Sequence, residues 1–373
     1  MNQASHSILE ESCKNKSSLD LQDILLRLNF DDICLTISGK DVGFLLPNLP
    51  EVPFAGTFDE AIESCTYHLI IPPFLSKVMR FLNVGFERKH RRAMAIILEY
   101  ASELVTFKMA ELKKLRNENR AHCGDILSTF IHLETQEGRS PTLESVRNLC
   151  LSIILAARDT SSLALSWFFW LLTQHPDVEI KILSKLYQIL KAKFSNYNPH
   201  YDFNTFRFSH DDLKGMQYLH AALSEAMRLY PPVPLSYRQA VRDVFLSDGT
   251  YVKKGSKLLY FIYATNRMES VWGKDCREFK PERWIDRDAG ICRKESDYKY
   301  PVFNAGPRLC LGRELAYFSM KCVAANVLLR YRMRIDPEHP VKPKFGLTIV
   351  MEHGLKVTLE PREDHVHHSI SGI

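Results

Sequence analysis

Ten residues near the end of the chain carry the most specific chemical signal in the sequence: Phe303-Asn304-Ala305-Gly306-Pro307-Arg308-Leu309-Cys310-Leu311-Gly312. A cysteine that ligates a metal acts as its thiolate, yet a free thiol is only about 3% ionised at neutral pH. The metal itself and the amide-rich N-terminus of a following helix both hold such a sulfur deprotonated. An apolar pattern of helical spacing follows Cys310, from about Leu311 to Leu329. Gly306 permits a sharp turn ahead of the sulfur, and Gly312 lets backbone approach a flat ring without a Cβ in the way. Phe303 is placed to shield the sulfur from water, and Arg308 to pair with an anionic edge. A lone cysteine ahead of a helix is ordinarily a small buried apolar residue. Five specified positions within ten residues favour a loop that presents a thiolate to the metal of a planar macrocycle.

Such a loop needs a large framework to hold it. The chain has 373 residues, 45% hydrophobic and 25% charged, a globular composition compatible with one large helical core. The net charge of +5 is too small to argue for nucleic acid, and no nucleic-acid partner is expected. Nine cysteines stand singly with no C-x-x-C pair, which points to a reducing, cytosol-facing environment rather than a disulfide framework. His365, His367 and His368 come nearest to a metal cluster, but they follow a charged, Pro-containing stretch and read as a solvated tail. Residues 1–16 are polar and hold neither a signal-type apolar region nor a membrane span.

Most of the chain has helical periodicity. Helices are predicted over 21–30 and 90–114, and from Ser140, with Pro141 in its first turn, to Gln174, ahead of His175-Pro176. This last helix would be roughly 50 Å long at 1.5 Å per residue. Its middle, 149–172, is apolar enough to raise a membrane span. Arg158 and Asp159 at its centre would be costly in lipid, so a buried core helix carrying a polar site is predicted. Another helix covers 213–229 and ends at Pro231-Pro232. Residues 241–263 alternate, with turn signals at Ser247-Asp248-Gly249-Thr250 and Lys253-Lys254-Gly255. A coil rich in Trp, Pro and Arg follows over 271–300, and short strands are predicted near Met333 and over 355–359. The sum is a mainly α fold with small β-sheet regions.

Three further segments bear charge chemistry. Glu225-Ala-Met-Arg228 places acid and base at i,i+3, where they can pair on a helix. Glu144-Ser-Val-Arg147 satisfies the same pattern and reads as a solvated pair; only the Glu225 copy is followed by Pro281-Glu282-Arg283-Trp284. Ala156-Ala157-Arg158-Asp159-Thr160-Ser161 sets a carboxylate beside a hydroxyl in the long helix. Such a pair can relay protons, or the hydroxyl can simply bond back within the helix.

Taken in this order, these segments and the cysteine loop resemble the cytochrome P450 superfamily, from about Asp20 to Glu360. The resemblance implies a cytochrome P450 fold forming one domain over 1–373. It implies haem b (iron protoporphyrin IX) held through its iron by Cys310, with Phe303, Gly306, Arg308 and Gly312 around it. Arg238, in Pro234-Leu-Ser-Tyr-Arg238, matches the arginine that contacts the second propionate; an exposed strand arginine is the alternative. Glu225, Arg228 and Arg283 become a buried structural triad, in which loss of one partner costs about 3–5 kcal/mol. Asp159 and Thr160 become the proton relay of oxygen activation. The chain departs from the family at Ala157, where the usual Gly permits a local helix distortion.

Leu165-Ser-Trp-Phe-Phe-Trp-Leu-Leu172, Asp248-Gly-Thr-Tyr-Val252 and Asn266-Arg-Met-Glu-Ser-Val-Trp-Gly273 are similar to the plant fatty-acid ω-hydroxylase branch. That implies hydroxylation of the terminal methyl of a fatty acid with dioxygen, electrons from NADPH through NADPH–cytochrome reductase, and the cytosolic face of the endoplasmic reticulum membrane. The apolar stretch from Tyr67 through Phe81, followed by Arg88-Lys-His-Arg91-Arg92, fits peripheral contact with a membrane surface; ordinary helix core with a solvated basic face fits equally. Family members begin with a membrane anchor, the first strands and a propionate-binding helix. The chain starts after these, and an N-terminally truncated member is expected. Two other readings stand beside the monooxygenase: a partial, non-catalytic member unable to retain haem, and a haem-thiolate isomerase or dehydratase of peroxides. Asp159-Thr160 argues against the last, which needs no proton relay.

Overall fold

The structure is a computed structural model and describes residues 3–46, 53–117, 124–193, 206, 208–286 and 288–362. His365, His367 and His368 lie outside them. The chain forms two compact units, one of Met1–Asn15 and Asp20–Ser162, the other of Lys16–Leu19 and Leu163–Ile373.

The first unit is helical. The helix Leu21–Ser38 starts at an Asp20 cap, whose carboxylate accepts from the Gln22 and Asp23 N–H groups at 3.0 and 3.4 Å, and it ends at Gly39 with φ +71°. It runs well past the predicted end at Phe30. Asp31 and Asp32 interrupt the apolar pattern there, but Asp31 turns inward and accepts from the N–H groups of Phe44 and Leu45 at 2.8 and 2.9 Å. Helices Pro53–Ile70, Pro73–Leu82, Gly85–Asn117 and Ile126–Gln136 follow. The predicted 90–114 helix is thus extended at both ends. Phe30, Ile37, Phe58, Ile97, Leu127 and Ile154 are among the buried core residues.

One buried charge ties three of these helices together. Glu87 accepts from His68 at 2.8 Å, Ser76 at 2.9 Å and Arg80 at 3.2 Å. The Pro73–Leu82 helix leaves Phe74, Val78, Phe81 and Leu82 exposed.

The long helix runs Leu143–Gln174, with Leu143–Ser162 in the first unit and Leu163–Gln174 in the second. It starts later than predicted because Thr142, not Pro141, provides the turn: Thr142 Oγ1 accepts from the Ser145 N–H at 3.1 Å. By length and composition it is the one described helix able to cross a membrane. Ile154, Leu163, Trp167 and Phe168 are covered by protein, as in a core helix, while Leu143 and Leu155 are exposed.

The second unit packs helices Pro176–Lys193, His210–Gly215, Gln217–Leu229 and Arg313–Arg330 with short antiparallel pairs. The single helix expected over 213–229 is two. Ser209 and Asp212 form a capping box for the first, and Met216, at φ −76° and ψ 69°, breaks the run. Strand Ser236–Gln239 pairs with Lys257–Tyr260, and Val244–Phe245 pairs with Tyr251–Val252 across the predicted turn, where Gly249 has φ +85°. Tyr331–Ile335 pairs with Lys356–Pro361. The hairpin Pro343–Phe345 with Ile349–Met351 was not legible, since three-residue strands carry too little alternation. Trp167 stacks on Tyr230 at 4.1 Å and donates to the Ile349 carbonyl at 3.0 Å.

Burial alone would raise the Glu87 carboxyl, but the hydrogen bonds from Arg80, His68 and Ser76 outweigh it and hold it at about 2. A depressed carboxyl contributes stability above its unfolded value, near 4.5, and loses it as pH falls toward about 2. Glu87→Gln should therefore melt roughly 3–6 °C lower at pH 7, with the gap narrowing below pH 4.5. Thermal melts across pH check this; a gap independent of pH contradicts it.

Candidate active site

The cysteine loop is built from two 3-10 turns, Pro301–Phe303 and Gly306–Arg308. Asn304 at φ +61° and Gly306 at φ +64° reverse the chain between them. A Cβ at Gly306 would also stand 3.3 Å from the Tyr298 hydroxyl. The Cys310 N–H donates to the Phe303 carbonyl at 2.8 Å and closes the loop. The helix behind it begins at Arg313 with Gly312 as cap, two residues later than the predicted start near Leu311, and Cys310 stands in the loop ahead of it, as expected. Phe303 packs against Tyr317 of that helix at 5.3 Å.

Cys310, Leu309 and Leu311 are exposed, Leu311 fully. Gly312 has an ordinary φ of −86°, and a Cβ there would meet nothing nearer than the Cys310 sulfur at 4.0 Å. The chain's own packing makes no demand for glycine at 312, so the open space there faces away from the described protein.

Two guanidinium groups lie in this region without carboxylate partners. Arg308 is exposed and makes no hydrogen bond or ion pair among the described residues. Arg238, on strand Ser236–Gln239, donates to the Tyr237 carbonyl at 2.9 Å and to Asn304 Oδ1 at 3.4 Å. It also lies over the Tyr260 ring at 5.5 Å, and the Tyr260 hydroxyl donates to Asn304 Oδ1 at 2.8 Å. Asn304 thus joins Arg238 to the start of the cysteine loop. Sequence reasoning missed Asn304 and Tyr260. The available signal was Asn just ahead of a glycine turn, since Asn tolerates positive φ better than most residues.

Glu225, Arg228 and Arg283 meet in the second unit. Glu225 and Arg228 are fully buried, with Arg228 Nε 2.7 Å from Glu225 Oε2 and Arg283 Nε 3.3 Å from Oε1. Glu225 also accepts from Trp284 Nε1 at 2.8 Å and from the Lys280 N–H at 3.1 Å. Arg228 reaches the carbonyls of Asn266, Cys276 and Glu278, at 2.6, 2.6 and 3.0 Å. Arg283 pairs with Asp275 at 2.9 Å. Hydrogen bonds from Lys280 and Arg283 hold the Asp275 carboxyl down at about 2. The second sequence match, Glu144 with Arg147, forms no ion pair.

In the first unit, Asp159 is buried and its Oδ1 has no hydrogen-bond partner. Arg158, also buried, stands 3.2 Å from it and 2.9 Å from the exposed Asp59. Burial pushes the Asp159 carboxyl up; Arg158 opposes that, and Asp59 adds to it. The Thr160 hydroxyl donates to the Ala156 carbonyl at 2.8 Å, the bond back within the helix that is one of its two expected arrangements. A residue not singled out from sequence, Asn29, donates to the Ala157 and Arg158 carbonyls at 2.5 and 2.8 Å.

A cytochrome P450 family model matches residues 1–359. The chain belongs to the cytochrome P450 family. It is 44% identical to cytochrome P450 86B1 of Arabidopsis thaliana, over 94% of this chain and 62% of that protein. It is 41% identical to cytochrome P450 94A2 of Vicia sativa, over 95% of this chain and 66% of that protein. Alkane hydroxylase MAH1 of Arabidopsis thaliana is 35% identical, over 94% and 67%. The chain therefore spans less than two thirds of the length of the first two of these relatives. The fold matches that of the crystal structure of the cytochrome P450DA heme domain with a TM-score of 0.75 at 18% identity, over 97% of this chain and 72% of that chain. It is a mainly α cytochrome P450 fold with small antiparallel sheets.

Membership of the family implies a haem-iron cofactor. The residues present fit one: an exposed thiol on a closed loop, flanked by exposed leucines, an open approach at Gly312, and two arginines lacking carboxylates. Arg283→Ala leaves the buried Glu225 short of a partner and should cost about 3–5 kcal/mol. Denaturant unfolding followed by Trp272 and Trp284 fluorescence measures this; a loss below about 1 kcal/mol contradicts it.

Proposed function

We propose that residues 1–373 form one cytochrome P450 domain serving haem-dependent monooxygenation of an aliphatic substrate, at the terminal methyl of a fatty acid. The observation that carries this reading is the exposed Cys310 thiol on its closed loop, with Arg238 and Arg308 left without carboxylate partners. Similarity to an alkane hydroxylase supports an aliphatic substrate. The absence of any C-x-x-C pair favours haem b, held without covalent attachment.

When bound, the haem supplies activation of dioxygen and insertion of one oxygen atom into an unactivated C–H bond. The chain's own residues bind, shield and supply protons. Cys310 would ligate the iron through its sulfur, with Phe303 beside it keeping water away. Arg238 and Arg308 would hold the two propionates, the first steadied by Asn304. Gly306 makes the turn, and Gly312 leaves the approach open.

Asp159 and Thr160 hold and pass protons. Burial favours the protonated carboxyl at Asp159, whose Oδ1 has no hydrogen-bond partner. The Thr160 hydroxyl spends its own proton on Ala156, which leaves its lone pairs free to accept a hydrogen bond from a proton carrier. Glu225, Arg228 and Arg283 act structurally, by fixing the coil that leads to the loop.

NADPH–cytochrome reductase is the electron donor in this reading, on the cytosolic face of the endoplasmic reticulum membrane. Exposed Phe74, Val78, Phe81 and Leu82, followed by exposed Arg88, Arg91 and Arg92, support peripheral contact with anionic lipid.

The test is turnover of a saturated long-chain fatty acid with NADPH and reductase, the products read by mass spectrometry. The ω-hydroxy acid is expected, and Thr160→Ala should lower product per NADPH by at least about tenfold. Equal product from Thr160→Ala would sink the relay; no terminal hydroxylation of a fatty acid would overturn the substrate class.

A further inference from the structure

We propose that Asn29 is a positioning residue for Asp159 and Thr160. The inference rests on the reading of those two residues as proton carriers. Asn29 lies on the Leu21–Ser38 helix, in the same unit as the Leu143–Ser162 part of the long helix. Its carboxamide nitrogen donates to two successive carbonyls, Ala157 at 2.5 Å and Arg158 at 2.8 Å. In a regular helix those carbonyls serve only the N–H groups of Ser161 and Ser162. Here they face an additional donor from a neighbouring helix, the kind of insertion that tilts carbonyls outward and bends a helix locally.

A second contact acts on the same turn. The Ser162 hydroxyl lies 2.7 Å from the Arg158 carbonyl and 3.0 Å from the Leu25 carbonyl, one turn before Asn29 on the same neighbouring helix. The turn from Ala157 to Ser162 is therefore held at both ends against Leu21–Ser38, and Asp159 and Thr160 lie between the two attachments. Thr160 bonds to Ala156, and Asp159 Oδ1 has only the adjacent Arg158 guanidinium beside it, so neither side chain fixes the rotation of this turn by a bond outside its own helix segment. Arg158 is the other anchor, through exposed Asp59, but a flexible ion pair with a solvated carboxylate orients less firmly than two amide–carbonyl bonds. Asn29 touches neither reacting side chain; it acts by setting the backbone from which both project.

Two variants remove the donors. Asn29→Leu keeps the branched shape at somewhat larger volume, and Asn29→Ala avoids any clash if the leucine fails to fold. Hydrogen exchange by mass spectrometry on the full chain should show the amides of Ser161 and Ser162 exchanging at least about fivefold faster, with the Gln217–Leu229 helix unchanged as the internal control. Unchanged or slower exchange at these amides in both variants, or an equal rise across both units, overturns the proposal. On haem-loaded protein supplied with NADPH and reductase, hydrogen peroxide released per NADPH should rise in Asn29→Leu. Asn29→Leu with Asp159→Asn should match Asp159→Asn alone to within about twofold, as residues acting through one turn do. Fully additive effects overturn the positioning role. If Asp159→Asn and Thr160→Ala leave peroxide release untouched, the proton-carrier reading fails by itself, and the exchange result still decides whether Asn29 holds the turn.

Discussion

The second unit depends on a single carboxylate. Glu225 has no exposure to solvent, and a buried charge costs several kcal/mol unless its partners converge on it with good geometry. Four donors do so: Arg228, Arg283, the Trp284 indole and the Lys280 N–H. Three of these come from the coil ahead of the cysteine loop. Satisfying Glu225 therefore fixes the path of a segment whose own regular structure is the single 3-10 turn Pro281–Trp284. Tyr300, at the end of that coil, donates to the Ser224 carbonyl at 3.0 Å, while the Ser224 hydroxyl meets Tyr317 at 2.8 Å. Tyr317 is the ring on which Phe303 rests. A chain of polar and aromatic contacts thus leads from the buried charge to the cysteine loop.

Asp159 in the first unit presents the opposite arrangement. It too is buried, but one of its oxygens has no hydrogen-bond partner and its cationic neighbour Arg158 is shared with Asp59. An acid satisfied on every side, like Glu225, makes a good anchor and a poor proton carrier. An acid left partly unsatisfied carries a standing cost, the usual mark of a site kept for chemistry rather than stability. In the proposed reading, a buried carboxyl thus serves as anchor at Glu225 and as proton carrier at Asp159, according to the number of donors around it.

Much of this was legible in the sequence, for identifiable reasons. The Glu225–Arg228 spacing forces an i,i+3 contact on any helix, and Arg283 lies in a compact segment downstream. The long helix was readable from its apolar run, and its burial from the two charges at its centre. What escaped were polar contacts between residues far apart in the chain. Asn29 meets Ala157 and Arg158 across more than a hundred positions, and no local pattern announces it. Tyr260 and Asn304 meet only because a strand and a turn are brought together. The break at Met216 was hidden because apolar spacing continues through it.

In the proposed reading, Cys310 presents a thiolate to a haem iron. Expressing the chain with a haem supply, reducing it, adding carbon monoxide and recording the Soret band reads this ligation. The native chain should give the red-shifted band of a thiolate-ligated haem and Cys310→Ala should lose it, with the helical circular dichroism of both proteins alike. A native chain that folds without taking up haem, or a Cys310→Ala variant that keeps the thiolate-type band, would contradict it.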